Sequence, residues 1–600
     1  MRNPLRSQPS LVAIALVIAL LSVVQVRWLW HGNSGADWKE IVRSDVRGYY
    51  GYLVAIFINQ DLGHEKADGT YVHRTPHGTL NKYFAGTAVM MAPWFGIGHA
   101  LALMDPAAAK DGHSFWEHVM IGVGGLVYVL LGLLLWRALL LGLGIRESVI
   151  AWIAVALTLA TPLLQYASLQ PGWSHVYSFV AFSAFVLLVH RLERGDDVRW
   201  TIALGAVFGL IVLIRPVNGL VLLAIPVVAG KGSWPMLMRI FKRPLILVCA
   251  AAAALALVAV QPILWHAQTG RWIEWGYLGE GFHWDRPEIF RVLFGFRRGL
   301  FLWAPVLLLA ALAVPLLWWK DRTRSIWAAI YWAVNTYVIA SWWIWYYGSG
   351  FGSRVFIEHL VVVALPWALV LNTARPKAWM VARIFMVSCI ALHLFQFWQY
   401  RHRILHHESM DRNKYAWAFG RYDPSSYDRL GGNYQARPFN PNGMELVVKE
   451  YHDFGSPGRL WQGGRVEERA EAYSESHVCV FDSTMYGTAF IAQAGELPLG
   501  RALQLEVSVM RYEEKAGDSF HMTGIASVER PDGSMAYYEP FRMNLLPGGT
   551  DSTWTRLCYA IPLPPLEAGQ KVGFYFWDQE ERCRLLLDDL CMKVWAAVPY

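Results

Sequence analysis

The sequence predicts a polytopic α-helical membrane domain, with about eleven transmembrane helices, followed by a C-terminal extracytoplasmic β-sandwich of jelly-roll type. Three observations predict it. Hydrophobic residues make up 55% of the chain and charged residues only 16%, with 30 tryptophans among 600 residues, which is far more apolar than a soluble protein of this length. Those apolar residues collect in runs long enough to cross about 30 Å of hydrocarbon. Past about residue 400 the pattern changes to short alternating runs bounded by Gly, Pro, Asp and Asn, as strands with one buried face require.

In chain order the apolar runs are 11–30, 119–141, 147–164, 174–190, 199–214, 217–230, 244–264, 300–318, 325–341, 356–372 and 379–398. Residues 84–104 are also apolar, but Pro93, the flanking glycines and His99 mark them as a helix lying at, or dipping into, the outer surface. The charges agree. With the N terminus (Arg2, Arg6) cytoplasmic, the inner loops carry Arg146; Arg191, Arg194 and Arg199; Lys231, Arg239, Lys242 and Arg243; Lys320, Arg322 and Arg324; and Arg375, Lys377 and Arg383. Every inner loop is then basic, which is the bias that orients membrane proteins. The expected division is a plasma-membrane (inner-membrane) domain over 1–400 with a large outer loop at 31–118, a connecting segment over 401–453 and a sandwich over 454–600. The net charge of +7 is dispersed in those clusters, so no nucleic-acid surface is expected.

The tail reads as strands in Ala502-Leu503-Gln504-Leu505-Glu506-Val507-Ser508-Val509 and Lys571-Val572-Gly573-Phe574-Tyr575-Phe576-Trp577, the repeating unit of an antiparallel sandwich. Four of the six cysteines, Cys479, Cys558, Cys583 and Cys591, fall in it, while Cys249 and Cys389 lie in apolar spans. An even set confined to an exported domain suggests disulfides; three pairings are possible.

Ionisable groups at the rim of a bilayer are expensive and default to function. Asp45, in Ser44-Asp45-Val46-Arg47-Gly48-Tyr49-Tyr50 just after the first span, is the candidate catalytic base, with Tyr49 and Tyr50 offering faces to a sugar. Lys82 follows in the same outer loop and His175 opens the span at 174. Arg215 lies in Leu-Ile-Arg-Pro-Val-Asn, Arg297 and Arg298 open the span at 300, and Arg354 follows a loop holding Trp342, Trp343 and Trp345. Glu358 and His359 come next. Arginines in short outer loops run against the orientation bias, so an anion should compensate them; guanidinium grips phosphate oxygens two at a time. Blander readings exist for each: Asp45 paired with Arg43 or Arg47, arginines snorkelling to headgroups, and the tryptophans forming an interfacial belt.

The run Ser44-Asp45 with Gly48-Tyr49-Tyr50, then Asn81-Lys82-Tyr83, and later Leu-Ile-Arg-Pro, Arg-Arg-Gly-Leu-Phe-Leu-Trp-Ala-Pro and Gly-Phe-Gly-Ser-Arg, resembles the GT-C glycosyltransferases. Within them it is similar to protein O-mannosyltransferases and the aminoarabinose transferase of lipid A, over about residues 10–400. It departs from many relatives in having a single early acid. The resemblance implies an outward-facing inverting transferase that takes its sugar from a polyprenyl phosphate and gives it to a hydroxyl on a glycan, lipid or protein, among membrane lipids. Asp45 would be its general base. Arg215, Arg354, Arg298 and Lys82 would hold the leaving phosphate, and Tyr49, Tyr50, His175, Trp345 and Glu358 the rest of the substrate. Leu586-Leu587-Asp588-Asp589-Leu590 resembles the last strand of carbohydrate-binding jelly rolls, whose acids can hold calcium; surface turns explain those aspartates equally well. No cofactor is called for, no metal site is recognised, and a divalent ion near Asp45 stays compatible with the sequence. The alternatives are a transporter or flippase, against which the lack of an internal repeat counts, and a non-catalytic glycan-binding receptor. An outer cavity joining Asp45 to Arg215 and Arg354 and open sideways to lipid would favour transfer, a central water path would favour transport, and scattered positions would favour the receptor.

Overall fold

The computed structural model describes residues 8–31, 35–66, 71–195, 198–277, 280–407, 410–426, 443–515, 522–543, 552–578, 581 and 583–598. It divides into two compact units, Met1–Phe397 and Trp398–Tyr600.

The helices of the first unit are α1 (Pro9–Gln25), α2 (Asp45–Val54), α3 (Gly86–Met104), α4 (Phe115–Gly142), α5 (Glu147–Leu159), α6 (Leu163–Ser168), α7 (Ser174–Arg194), α8 (Val198–Ile214), α9 (Ala224–Ala229), α10 (Ser233–Phe241), α11 (Pro244–Val258), α12 (Val260–Thr269), α13 (Ile289–Phe294), α14 (Leu300–Trp303), α15 (Leu307–Leu317), α16 (Arg322–Ala340), α17 (Leu360–Asn372) and α18 (Pro376–Arg401). A hairpin of β1 (Val72–Thr75) and β2 (Gly78–Asn81) interrupts them. Among the described residues, seven stretches are long and apolar enough to cross a membrane: Pro9–Trp30, Gly86–Met104, Phe115–Gly142, Ser174–Arg194, Pro216–Phe241, Pro244–Thr269 and Pro376–Arg401. Glu147–Leu159, Val198–Ile214, Leu307–Leu317 and Leu360–Asn372 are shorter apolar helices.

Two expected spans are broken. The run at 147–164 stops at Leu159 ahead of Pro162, and the run at 300–318 is divided by Pro305 between α14 and α15, because proline lacks the N–H a helix interior needs and crowds the preceding turn. Elsewhere backbones approach closely. Gly205 and Gly209 of α8 press on Ala250 and Ala254 of α11, where any β-carbon would meet the neighbouring backbone, the small-residue contact of membrane helices.

Hydrogen bonds order the helix ends. Arg137 near the end of α4 donates to Ser10 Oγ at the start of α1 (2.6 Å) and pairs with Glu147, while Gln25 at the far end of α1 donates to the Gly122 carbonyl (3.2 Å). α1 and α4 therefore run antiparallel, and the chain between them leaves and returns on one side. Gly86–Met104 has the length to cross, yet it makes no net crossing before α4. It packs along the first half of α4, with Gly98 at Glu117, Trp94 against Gly124, and the Met90 carbonyl accepting from Tyr128 (2.8 Å).

The opposite face is stitched together. Arg146 meets Asn372 (2.9 Å), Lys320 bonds to Thr373, Arg324 donates to the Val228 carbonyl (2.8 Å), and Arg239 donates to the Leu192 carbonyl (2.8 Å). The basic loops expected on the inner side thus share one layer with the start of α1.

The second unit holds β3 (Met444–His452), β4 (Trp461–Gln462), β5 (Val466–Glu468), β6 (His477–Asp482), β7 (Tyr486–Gln493), β8 (Leu503–Glu513), β9 (Met522–Glu529), β10 (Met535–Arg542), β11 (Thr553–Leu563), β12 (Lys571–Asp578) and β13 (Arg584–Ala597). One sheet runs β10-β9-β12-β7-β4; the other runs β11-β8-β13-β6-β5, with β3 also on β13. Alternate residues Leu503, Leu505, Val507 and Val509 of β8 and Val572, Phe574 and Phe576 of β12 are buried in the shared core, as the alternation predicts. The sandwich begins earlier than residue 454, because Met444–His452 pairs with β13 through Val594–Val448 and Cys591–Tyr451. That strand reads as linker in sequence since most of its side chains face solvent.

No disulfide joins the sandwich cysteines, contrary to expectation. Cys558 and Cys591 flank Ser508 from opposite sides. That puts them about two strand spacings apart, roughly 9–10 Å, beyond the ~7 Å limit for a bridge. Asp588 accepts from the backbone N–H groups of Tyr473 and Ser474 (both 2.9 Å) and the Ser474 hydroxyl (3.0 Å). Its oxygens clasp the loop at Tyr473 and Ser474.

Candidate functional site

The site begins with a strained residue. Ser44 has φ 56° and ψ −137°, a region favouring glycine, and such outliers cluster where a side chain must be aimed. Asp45 follows in the first turn of α2, and Tyr49 lies four residues on, on the same helix face. Asn81 at the end of β2 donates to the Gly48 carbonyl (2.7 Å) and accepts from the Tyr83 N–H (3.0 Å). Tyr52 donates to the Tyr83 carbonyl (2.8 Å). These bonds bring the Tyr83 ring onto Gly48, where a β-carbon would collide with it. The Tyr83 hydroxyl then donates to Asp45 Oδ1 at 2.9 Å. Burial first, and the Asp45 charge second, push the Tyr83 phenol well above its usual pKa, so it stays protonated as a donor.

Asp45 Oδ2 faces Arg354 Nη2 at 3.5 Å. Arg354 is fixed from two other directions, donating to the Ser349 carbonyl (2.5 Å) and lying 4.1 Å over the Trp173 ring. The local pairing alternative for Asp45 is not observed, since Arg43 pairs with Glu40 at 2.7 Å. Across the site, Glu358, 1% exposed, accepts from Arg215 (3.2 Å) and Asn218 (3.4 Å), with His175 Nδ1 at 2.9 Å. A buried carboxylate needs such partners, and with both oxygens engaged Glu358 orients Arg215 and His175. Lys82 pairs with Glu280 and lies 5.2 Å from the Tyr277 ring.

A cavity of about 660 Å³ joins these groups, and Asp45, Tyr49, Lys82, His175, Arg215, Arg354 and Glu358 all line it. Its other walls are largely aromatic, from Trp275, Tyr277, Phe282, Trp284, Trp342 and Tyr347. Three expected residues lie elsewhere. Tyr50, one position past Tyr49, turns away from the Asp45 face, bonds to the Gly112 carbonyl and packs on Phe95 and His118. Arg298, 4% exposed, donates to the Tyr346 carbonyl (2.7 Å) and braces the loop before Arg354. Trp345 lines a separate small hollow beside Arg298.

Sequence reasoning passed over Tyr83 and Asn218, although both sit inside quoted motifs, one and three residues past a chosen cation. Trp275, Tyr277 and Glu280 carried no signal, because the loop between α12 and α13 shows no periodicity. Among the described residues no cluster of three or more metal-ligating side chains occurs.

No protein-family model matches the sequence, and no curated protein matches it. Among solved structures, the chain is similar to ArnT from Cupriavidus metallidurans bound to undecaprenyl phosphate, at 16% identity over 64% of each chain and a TM-score of 0.42. It is similar to the archaeal oligosaccharyltransferase AglB from Archaeoglobus fulgidus, solved with an inhibitory peptide and a dolichol-phosphate, at 13% identity over 69% of this chain and 54% of that one, TM-score 0.35. The CBM22-1 xylan-binding domain of Paenibacillus barcinonensis Xyn10C matches at 17% identity over 26% of this chain and 98% of its own, TM-score 0.18. The chain thus spans under two thirds of the two membrane proteins. Likenesses at this level carry no argument about chemistry.

Proposed function

We propose that the chain is a GT-C-type membrane glycosyltransferase that moves a sugar from a polyprenyl-phosphate donor to a hydroxyl acceptor on the outer face of the membrane, with inversion. One observation carries this reading: seven polar residues drawn from distant parts of the chain line a single aromatic-walled cavity, in which the Asp45 carboxylate faces Arg354 and Arg215 is held by Glu358. A transporter would need no base, and a receptor no joined cavity.

In the proposed step the acceptor oxygen bonds to the anomeric carbon while the bond from that carbon to the phosphate oxygen breaks. The acceptor proton passes to the Asp45 carboxylate, a general-base role. The departing phosphate keeps the bonding electrons, and its growing charge is met by Arg215 and Arg354, with Lys82 nearby. Tyr49 and the tryptophan-rich wall pack the sugar ring, while Glu358 and His175 hold Arg215 in place. A single displacement with one base inverts the anomeric centre, unlike the paired carboxylates of glycosidases.

The test is release of polyprenyl phosphate by the purified protein in proteoliposomes, offered a panel of hexose and pentose polyprenyl-phosphate donors with soluble hydroxyl acceptors. Acceptor-dependent release from at least one donor is expected, with the Arg215→Gln, Arg354→Gln double variant inactive. No release from any donor, or equal release by the double variant, overturns the reading. Deleting the gene and profiling lipid-linked sugars by mass spectrometry would name the donor that accumulates.

A further inference from the structure

Six charged side chains among the described residues line the cavity, and they pair off. Asp45 faces Arg354 at 3.5 Å, Glu358 accepts from Arg215 at 3.2 Å, and Glu280 holds Lys82. The first two pairs serve the proposed step, and Glu280 has no part in it. Glu280 is nevertheless built in. A β-carbon on Gly276 would lie 2.7 Å from the Lys82 carbonyl oxygen, and the Glu280 N–H donates to the Tyr277 carbonyl (3.2 Å). Past it, the Gly281 carbonyl accepts from the Trp343 N–H (2.9 Å) and the His283 N–H donates to the Ser341 carbonyl (2.6 Å), which ties this segment to the tryptophan-rich wall. The Lys82 ammonium lies 5.7 Å from the Tyr83 ring and 5.2 Å from the Tyr277 ring. Since the Tyr83 hydroxyl reaches Asp45, one aromatic ring separates the pair from the proposed base. The Lys82 and Glu280 side chains are 16% and 18% exposed, against 1% for Glu358. Glu280 Oε1 takes the Lys82 bond, and Oε2 makes no hydrogen bond among the described residues.

We infer that the Lys82–Glu280 pair reads the donor sugar, and that the sugar it accepts carries hydroxyls and no carboxylate. This rests on the reading of the cavity as a site for a polyprenyl-phosphate sugar. A hydroxyl both donates and accepts, so neighbouring hydroxyls can donate to Glu280 Oε2 and accept from Lys82, while Tyr277 offers a ring face beside them. A uronate would bring a further negative charge, beyond the phosphate, into a cavity whose own charges already cancel, and would set it against Glu280. The pair also differs from its neighbours in timing. When Asp45 takes the acceptor proton it ceases to neutralise Arg354, whose charge then meets the leaving phosphate. Glu280 keeps its charge, so Lys82 stays neutralised throughout. A contact that does not change during the reaction adds to binding and selects the substrate without altering the chemical step.

The test is calorimetric titration of the full-length protein in detergent micelles, with no acceptor present. The probes are a polyprenyl phosphate, the same lipid carrying each neutral hexose or pentose of the donor panel, and the same lipid carrying a hexuronate. The wild-type protein is expected to bind at least one neutral-sugar lipid about tenfold more tightly than the bare lipid phosphate, and the uronate lipid no better than the bare one. Glu280→Gln should lose about tenfold for the neutral-sugar lipid, the scale of one hydrogen bond to a charged group. It should hold or tighten for the bare lipid and gain for the uronate lipid, because Lys82 is then unpaired. An unchanged melting temperature reports folding. If the variant melts early, Glu280→Asp is used, which keeps the charge and shortens the reach; it should weaken the neutral-sugar lipid and still exclude the uronate. The proposal is overturned by equal weakening for bare and sugar-bearing lipids, which would make the pair part of the phosphate site. It is also overturned by binding unchanged in the variant, by a wild-type preference for the uronate lipid, or by no gain from any neutral sugar. A wild-type protein that binds none of these lipids overturns the transferase reading itself, and this inference with it.

Discussion

Asp45→Asn separates a base from a structural partner by magnitude. The amide keeps the size of the side chain and an oxygen to accept the Tyr83 hydroxyl at 2.9 Å. What is lost is the ion pair with Arg354, which is long at 3.5 Å, with the Asp45 side chain 27% exposed. Pairs of this kind contribute about 0.2–1 kcal/mol, and Arg354 keeps its contacts to Ser349 and Trp173. If Asp45 only steadies Arg354, the rate falls by no more than roughly fivefold, at 1.36 kcal/mol per tenfold. If it takes the acceptor proton, the loss is about 10²–10⁴-fold, or roughly 2.7–5.4 kcal/mol. Single-turnover transfer in proteoliposomes at saturating donor measures the chemical step, and donor affinity should hold or tighten as Arg354 is released. A fall under about fivefold refutes the base assignment. So does a hundredfold fall matched by an equal loss of donor binding, which would make Asp45 a binding group.

Glu358→Gln should raise the donor KM roughly thirtyfold with a smaller change in kcat. Breaking a fully buried pair costs about 3–5 kcal/mol; here only Glu358 is fully buried, and the Arg215 side chain, 23% exposed, recovers part of that from the cavity. Combined with Arg215→Gln it should add less than the sum of the single effects; full additivity in a double-mutant cycle removes Glu358 as a positioning residue. Gly48→Ala would set a β-carbon 2.6 Å from Tyr83 Cε2, an overpacking of about 1–3 kcal/mol that should lower both thermal stability and transfer. Gly96→Ala, with no atom within 4 Å of the new carbon, should leave both unchanged, and equal effects of the two would discount the Gly48 contact. Maleimide should label Cys558, which is exposed, in the folded protein, and buried Cys479 and Cys583 only after unfolding. Thiols that appear only after reduction would contradict the absence of disulfides.

The large divisions of this protein were legible because the bilayer writes them in composition. Apolar runs, basic clusters and the change to alternation at the tail each reflect transfer between water and hydrocarbon, which acts on whole segments, and the helix ends carrying those clusters do share one layer. Site residues were legible where a charge in a loop between apolar runs has no local partner, as with Asp45, Arg215 and Arg354. Direction was harder. Tyr49 and Tyr50 are neighbours in one motif, yet α2 turns about 100° per residue, so only the one four positions from Asp45 shares its face; that difference could have been drawn from periodicity. Arg298 and Arg354 offer no such rule. Both follow glycine-containing loops with aromatic neighbours, and only the tertiary path of the backbone sends one to the Tyr346 carbonyl and the other to Asp45. Tyr83 shows the same limit from the other side. Its ring reaches Asp45 because Gly48 has no side chain and Asn81 ties the two segments together, so its role is written in one residue far from it in the chain and one two positions before it, neither of which ionises.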